Sequence, residues 1–259
     1  MDDPERLVPV LLYHSVTDAP QPGFERWTVT TSAFDAHVEA VARSGRSPVT
    51  VSELAAGLRG EHTLPARPVA VTFDDGFHDT LRALERLRDA SIGATVYATA
   101  SYVGRPGMMS AEDVASIARR DNVEVGAHGM THRRLDELGE GEIAHEVTRS
   151  RAFVESLTGR ACETFAYPHG CHDGRVIAAV RRAGYTSAVA VKNALSHRGD
   201  DPLAIARVTV GSDTTVSDVE RMLDGDWRVV RPRERLRTRG YRVARRVERR
   251  VRGVRSVTP

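Results

Sequence analysis

Val69-Ala70-Val71-Thr72-Phe73-Asp74-Asp75-Gly76 decides the reading of this chain. The first five residues are the β-branched and apolar kind that form a buried strand, and they stop at two carboxylates and a glycine. Asp-Asp-Gly ends many strands in ordinary turns, so alone it says little. A second run, Val123-Glu124-Val125-Gly126-Ala127, ends in His128-Gly129-Met130-Thr131-His132. Similar runs cover residues 8–14, 94–99, 164–167, 186–191 and 204–210. Between them, apolar spacing and caps predict helices over 79–90, 110–120, 142–157 and 174–183, with Ser110 and Asp113 at the start of the second and Gly184 after the last. Strands alternating with helices over this length predict an α/β fold, a (β/α) barrel of about seven parallel strands.

In such barrels chemistry gathers at the C-terminal ends of the strands. His14, Asp74, Asp75, His128 and the Pro168-His169-Gly170 turn all follow strands. Asp75, His128 and His132 give one carboxylate and two imidazoles, which with one open position is what catalytic zinc prefers. A lone His-x3-His is weak, because histidines also sit on exposed helix faces; the two motifs together, each behind a strand, point to a metal. Zinc is the expected ion, although donor type alone does not select it over cobalt, nickel or iron. Asp74 is left beside the metal as a general base. Neighbouring residues of an extended strand face opposite ways, so both carboxylates reach one site only if the chain turns, which Gly76 permits.

Thr72-Phe73-Asp74-Asp75-Gly76 and His128-Gly129-Met130-Thr131-His132 resemble the first two motifs of the polysaccharide deacetylase family, carbohydrate esterase family 4. Pro9-Val10-Leu11-Leu12-Tyr13-His14-Ser15 resembles the opening of a subgroup acting on exopolysaccharides. The resemblance covers about residues 8–210. It implies a deformed (β/α) barrel, a divalent metal (usually zinc), and hydrolysis of N-acetyl groups on a carbohydrate such as a glycan, a lipid-linked sugar or an oligosaccharide. It implies Asp74 as base and Asp75, His128 and His132 as metal ligands. The alternatives are removal of a formyl or O-acetyl group, or a catalytically silent glycan-binding relative.

Two departures from the family pattern set further expectations. The third motif usually carries an Arg two residues before Pro-aromatic-Gly, and here Ala166 stands there, in Ala166-Tyr167-Pro168-His169-Gly170. Arg207 is expected to supply the guanidinium from a neighbouring strand; a surface or ion-paired Arg is the plainer reading. Tyr167, Pro168 and His169 then mark the substrate side, with the His169 backbone N–H as oxyanion donor. The family's last motif supplies a histidine acid, yet no histidine follows His197. His14 is the expected substitute, with His169 next, and a structural role for His14 is the alternative. His37, His62, His78, His145, His172 and His197 read as solvated or structural.

Charge divides the chain. Residues 226–259 hold 13 Arg against 3 acidic residues, and the formal total of +2 leaves residues 1–225 at about −8. The expected organisation is a barrel domain over 1–215 and a basic tail over 216–259. Val243, Val247, Val251 and Val254 fall at helical spacing, so the tail reads as a helix able to lie on an anionic membrane surface. A helix packed on the domain, or a solvated arm, is equally compatible. Nucleic acid is disfavoured, because the tail holds little aromatic interleaving for base stacking. No segment reaches the ~18 apolar residues that cross a bilayer, and the acidic opening shows no export signal. A cytoplasmic protein, peripheral to the inner face of the membrane, is therefore expected, with Cys162 and Cys171 as thiols.

Overall fold

The computed structural model describes residues 7–226. Seven parallel strands close into a barrel: β1 (Val10–Tyr13), β2 (Pro68–Phe73), β3 (Ala94–Ala98), β4 (Val123–Ala127), β5 (Thr164–Ala166), β6 (Ser187–Val191) and β7 (Ile205–Thr209). β1 closes the ring by pairing with β2 on one side (Leu12↔Thr72, Tyr13↔Phe73) and β7 on the other (Leu11↔Val208). The circle is uneven. The β4–β5 ladder is reduced to Ala127↔Phe165, and a two-residue strand, Ser47–Pro48, adds to the outside of β2. This is the barrel that the alternating strands and helices predict, with the deformation that the resemblance implies.

Seven helices accompany the strands among the described residues: α1 (Thr31–Arg43), α2 (Val51–Leu58), α3 (Thr80–Asp89), α4 (Ala111–Ile117), α5 (Glu140–Thr158), α6 (Gly174–Arg182) and α7 (Val216–Leu223). Strand alternation sorts the core into layers. Outward residues Leu11, Val71, Phe73 and Val96 pack with Phe34, Val38 and Val41 of α1 and Leu84 and Leu87 of α3. Phe165 and Ala188 pack with Ile143, Val147 and Val154 of α5 and Val176 and Val180 of α6. Inward residues Val10, Ala70, Tyr97, Ala166, Val189 and Ile205 fill the barrel, and Val51, Leu54 and Ala55 of α2 join them from the N-terminal end. There Glu124 accepts hydrogen bonds from the Val51 and Ser52 backbone N–H groups and from Thr95. One end of the barrel is thus plugged, and the other carries the loops.

α7 begins at the expected start of the tail, yet Val219, Met222 and Leu223 are buried in the same core as α1. The valine stripe and the arginines beyond residue 226 lie outside the described residues, which hold nothing that supports docking of the tail on a membrane. No described helix is long and apolar enough to cross one.

His37 of α1 is buried against Tyr13, with Tyr13 Oη 3.3 Å from its Nδ1. Burial pushes its pKa down from 6.5 to about 4. Above pH 6.5 this has no cost. As pH falls from 6.5 towards 4 the unfolded chain takes up a proton that the folded chain refuses, so stability is lost in that window. The loss approaches about 3 kcal/mol at its lower edge. Urea titrations at pH 7 and pH 4.5 should therefore show His37→Gln losing less stability than the unaltered chain; equal losses would rule the assignment out.

Candidate active site

Asp74 follows β2 directly, with its N–H bonded to the Tyr13 carbonyl. The chain then turns sharply: Asp75 takes φ 72° and Gly76 φ 83°. A left-handed Asp75 is how two adjacent carboxylates face one site, so the turn begins one residue earlier than Gly76 alone would require. His132 (φ 59°) and His169 (φ 57°) are left-handed too, so three of five such non-glycine residues among those described lie here.

The carboxylate of Asp75 and the imidazoles of His128 and His132 each offer one donor atom, all within 4.8 Å of one another. The Nδ1 of His128 donates to the Ala166 carbonyl (2.8 Å), and an acceptor there requires the proton on Nδ1. Burial lowers the His128 pKa to about 3, so the ring is neutral and its Nε2 lone pair lies between the two carboxylates, 3.6 Å from Asp74 Oδ2 and 3.7 Å from Asp75 Oδ1. His132 Nε2 lies 3.2 Å from the same oxygen, and burial lowers that ring's pKa as well. Asp75 Oδ1 is buried without a hydrogen-bond partner, and burial, aided by the charge of Asp74, raises Asp75 to about 6 despite an opposing pull from His14. Two imidazole nitrogens converge on an unsatisfied carboxylate oxygen. A divalent cation fits that donor set, since it would resolve every one of these contacts.

Asp74 is held differently. Arg207, on β7 and fully buried, grips it with two parallel bonds of 2.6 and 2.7 Å, places a third N–H 3.2 Å from Thr72 Oγ1, and lies 5.5 Å from the centre of the Tyr97 ring. Burial alone would raise the Asp74 pKa; the guanidinium outweighs it, with help from His128, and holds the group down at about 2. The expected guanidinium is therefore at Asp74, the carboxylate expected to act as base. Ala166 also faces the barrel interior, where it packs with Tyr97.

The remaining expected residues divide. His14 is half-buried after β1, its Nδ1 without a partner; burial lowers its pKa, while Asp75 and Asp74 pull the other way. The His169 ring stands 4.5 Å from that of His132, and its Nε2 meets the His132 carbonyl at 3.2 Å. Pro168 and His169 form the tight turn Pro168–Gly170 at the end of β5. The expectation for the Tyr167 side chain is corrected by alternation. Thr164 and Ala166 face inward, so Tyr167 faces out, fully buried in the helix-packed core with its hydroxyl donating to the Leu203 carbonyl (2.8 Å).

One residue at the site escaped the sequence reading. Glu146 of α5 is buried behind the His128–His132 loop and accepts from Met130 N–H, Thr131 N–H and Thr131 Oγ1. Its signal was present: a carboxylate on the stripe of Ile143, Val147, Ser150 and Val154 that α5 buries.

Residues 61–188 match the family model for polysaccharide deacetylase. The chain belongs to the polysaccharide deacetylase family. The deacetylase is similar to YxkH of Bacillus subtilis (strain 168), a protein named provisionally as a polysaccharide deacetylase, with 22% identity over 204 residues, 78% of this chain and 71% of that protein. Among solved structures it resembles IcaB from Ammonifex degensii (TM-score 0.74, 25% identity, 85% of this chain and 97% of that one). A polysaccharide deacetylase from Bacillus cereus shares the fold (TM-score 0.75, 24% identity, 84% and 69%). The deacetylase is accordingly a carbohydrate-directed hydrolase, with Asp74 and the Asp75, His128, His132 cluster at the open end of its barrel.

Proposed function

We propose that this chain removes N-acetyl groups from a carbohydrate, using a divalent metal, zinc by preference, held by Asp75, His128 and His132. The observation that carries the reading is the division of labour between adjacent carboxylates: Asp75 lies unsatisfied among imidazoles, while Asp74 is kept ionised by Arg207. A divalent ion in that cluster supplies Lewis acidity and lowers the pKa of a water towards about 7.

The chain's own groups then act as follows. Asp74 accepts the proton of the attacking water as its oxygen bonds to the acetyl carbonyl carbon. Arg207 keeps Asp74 aimed and charged. The His169 backbone N–H is proposed to meet the negative charge growing on the carbonyl oxygen. Collapse breaks the C–N bond, and a proton must reach the departing nitrogen, a role proposed for His14. Burial keeps His14 neutral at rest, so it serves by gaining a proton within the cycle. The products are acetate and the free amine.

Two aromatic rings beside the site, Trp27 exposed and Tyr102 half-buried, support a sugar as the occupant. Trp27 is 37% exposed and lies 6.5 Å from His14, and Tyr102 lies 5.7 Å from His132. Flat aromatic faces on two sides of the site suit the apolar faces of pyranose rings.

Dialysis against a chelator is expected to cut acetate release from N-acetylated glycans by more than about 10²-fold, with recovery on adding stoichiometric zinc or cobalt. Full activity in chelated, metal-free protein would overturn the metal reading. Release of formate or of O-linked acetate in preference to amide-bound acetate would redirect the acyl assignment.

A further inference from the structure

The groups described so far face the metal cluster; Glu146 stands behind it. We infer that Glu146 is a positioning residue for the metal, its carboxylate fixing the backbone between His128 and His132 so that both rings converge with Asp75. The inference rests on the metal reading above and concerns what makes that site bind.

Four observations carry it. Glu146 is 4% exposed, and a carboxylate at such a depth is tolerated only when hydrogen bonds replace its water. Those bonds come from the loop itself: Met130 N–H at 2.8 Å and Thr131 N–H at 3.0 Å reach Oε2, and Thr131 Oγ1 reaches Oε1 at 2.5 Å. The loop also closes onto the carboxylate in shape. Gly129 takes φ 76°, and a Cβ there would stand 3.2 Å from Glu146 Oε2. The opposite edge of the loop is held too, because the Gly129 and Met130 carbonyls accept from the Ala100 and Ser101 N–H groups (3.1 and 2.8 Å). The residues between the two histidines are therefore gripped from both sides.

This matters because the histidines sit on a loop, not a helix. A helical turn would aim two imidazoles four residues apart by its own hydrogen bonds; here the run has none, with Gly129 and His132 both left-handed. Glu146 replaces the missing helix. It gathers the consecutive N–H groups of Met130 and Thr131 on one carboxylate oxygen. The Thr131 hydroxyl is the specific second contact, next in sequence to His132.

The test is zinc affinity of the full chain by chelator competition, with the visible spectrum of the cobalt-loaded protein reporting ligand geometry. Glu146→Ala should weaken zinc binding by about 10–100-fold and change the cobalt band, while far-UV circular dichroism shows the barrel intact. Glu146→Gln, whose amide oxygen can still accept from both N–H groups, should recover most of that affinity. A residue that only packs the core would leave the cobalt spectrum of the folded variant unchanged. Zinc affinity within twofold of the unaltered chain, with an unchanged cobalt band, would overturn the inference. If Glu146→Ala does not fold, Thr131→Val decides: a smaller loss in the same direction supports it, and unaltered affinity refutes it. Failure of the unaltered chain to bind zinc would instead overturn the metal reading itself, and this inference with it.

Discussion

Asp74→Asn is expected to keep its metal and lower kcat for acetate release by about 10²–10⁴-fold, the range that a positioned general base supplies. Asparagine has nearly the shape of aspartate and can still accept from Arg207 through its amide oxygen. It cannot take a proton from water. KM should change little, since Asp74 is buried and Trp27 and Tyr102, the rings proposed to meet the sugar, are left unaltered. The substitution has a second effect that the measurement must separate. Arg207 would be left fully buried opposite an amide, and uncompensated buried charge is destabilising by about 3–5 kcal/mol. Rates should therefore be normalised to the folded fraction, with metal content measured on the same sample. Acetate release equal to that of the unaltered chain, in folded and metal-loaded protein, would refute Asp74 as the base.

Arg207→Met should act on both rate and pH dependence. In the native chain burial works to raise the Asp74 pKa and the guanidinium overrides it, holding the group at about 2. Removing the guanidinium leaves burial dominant, so the Asp74 pKa must rise. A base with a raised pKa is protonated further up the scale, so the acid limb of kcat/KM should move to higher pH. The stability sign is consistent. A carboxylate depressed in the fold contributes stability that is fully present above the ordinary aspartate value and is lost as pH falls towards 2. The variant lacks that contribution at neutral pH and should be weaker by about 3–5 kcal/mol. Near-normal turnover with an unmoved acid limb, in a folded variant, would reduce Arg207 to a core ion pair without a role in the reaction.

Much of this was legible from local rules. The seven strands occur where short β-branched runs stand between turn signals, because parallel strands buried on both faces need that composition. The capping box at Ser110 and Asp113 is present, and Gly184 follows α6 in a left-handed conformation. α1 and α2 were not predicted, although Thr30 precedes Phe34, Val38 and Val41, and Thr50 stands three residues before Glu53 as a capping box. α7 was hidden by the charge shift that follows it, since an arginine-rich tail drew the boundary before a helix whose apolar face is core. Charge marks solvation, whereas burial decides what belongs to a body.

At the site, spacing brought Asp75, His128 and His132 into one group, and a place on the run that forms β7 singled out Arg207. Tyr167 failed for a reason the sequence contained. Motif matching assigned it by neighbourhood, while the two-residue alternation through Thr164 and Ala166 sends it to the opposite face. Glu146 was missed because its partners are backbone groups of a distant loop, and no residue pattern along α5 names them. Only its place on an otherwise core-facing stripe was anomalous.

The left-handed backbone at Asp75, His132 and His169 has a practical consequence for anyone altering this protein. Each such residue holds a conformation that costs a side-chain-bearing amino acid about 1–2 kcal/mol and a glycine almost nothing. Glycine at Asp75, His132 or His169 would relieve that strain, less the conformational entropy it returns to the unfolded chain. Together the three changes would erase two candidate metal donors and the ring beside them. Selection for durability and selection for hydrolysis pull against each other at these positions, and a screen that reads only melting temperature would drift towards an inert scaffold.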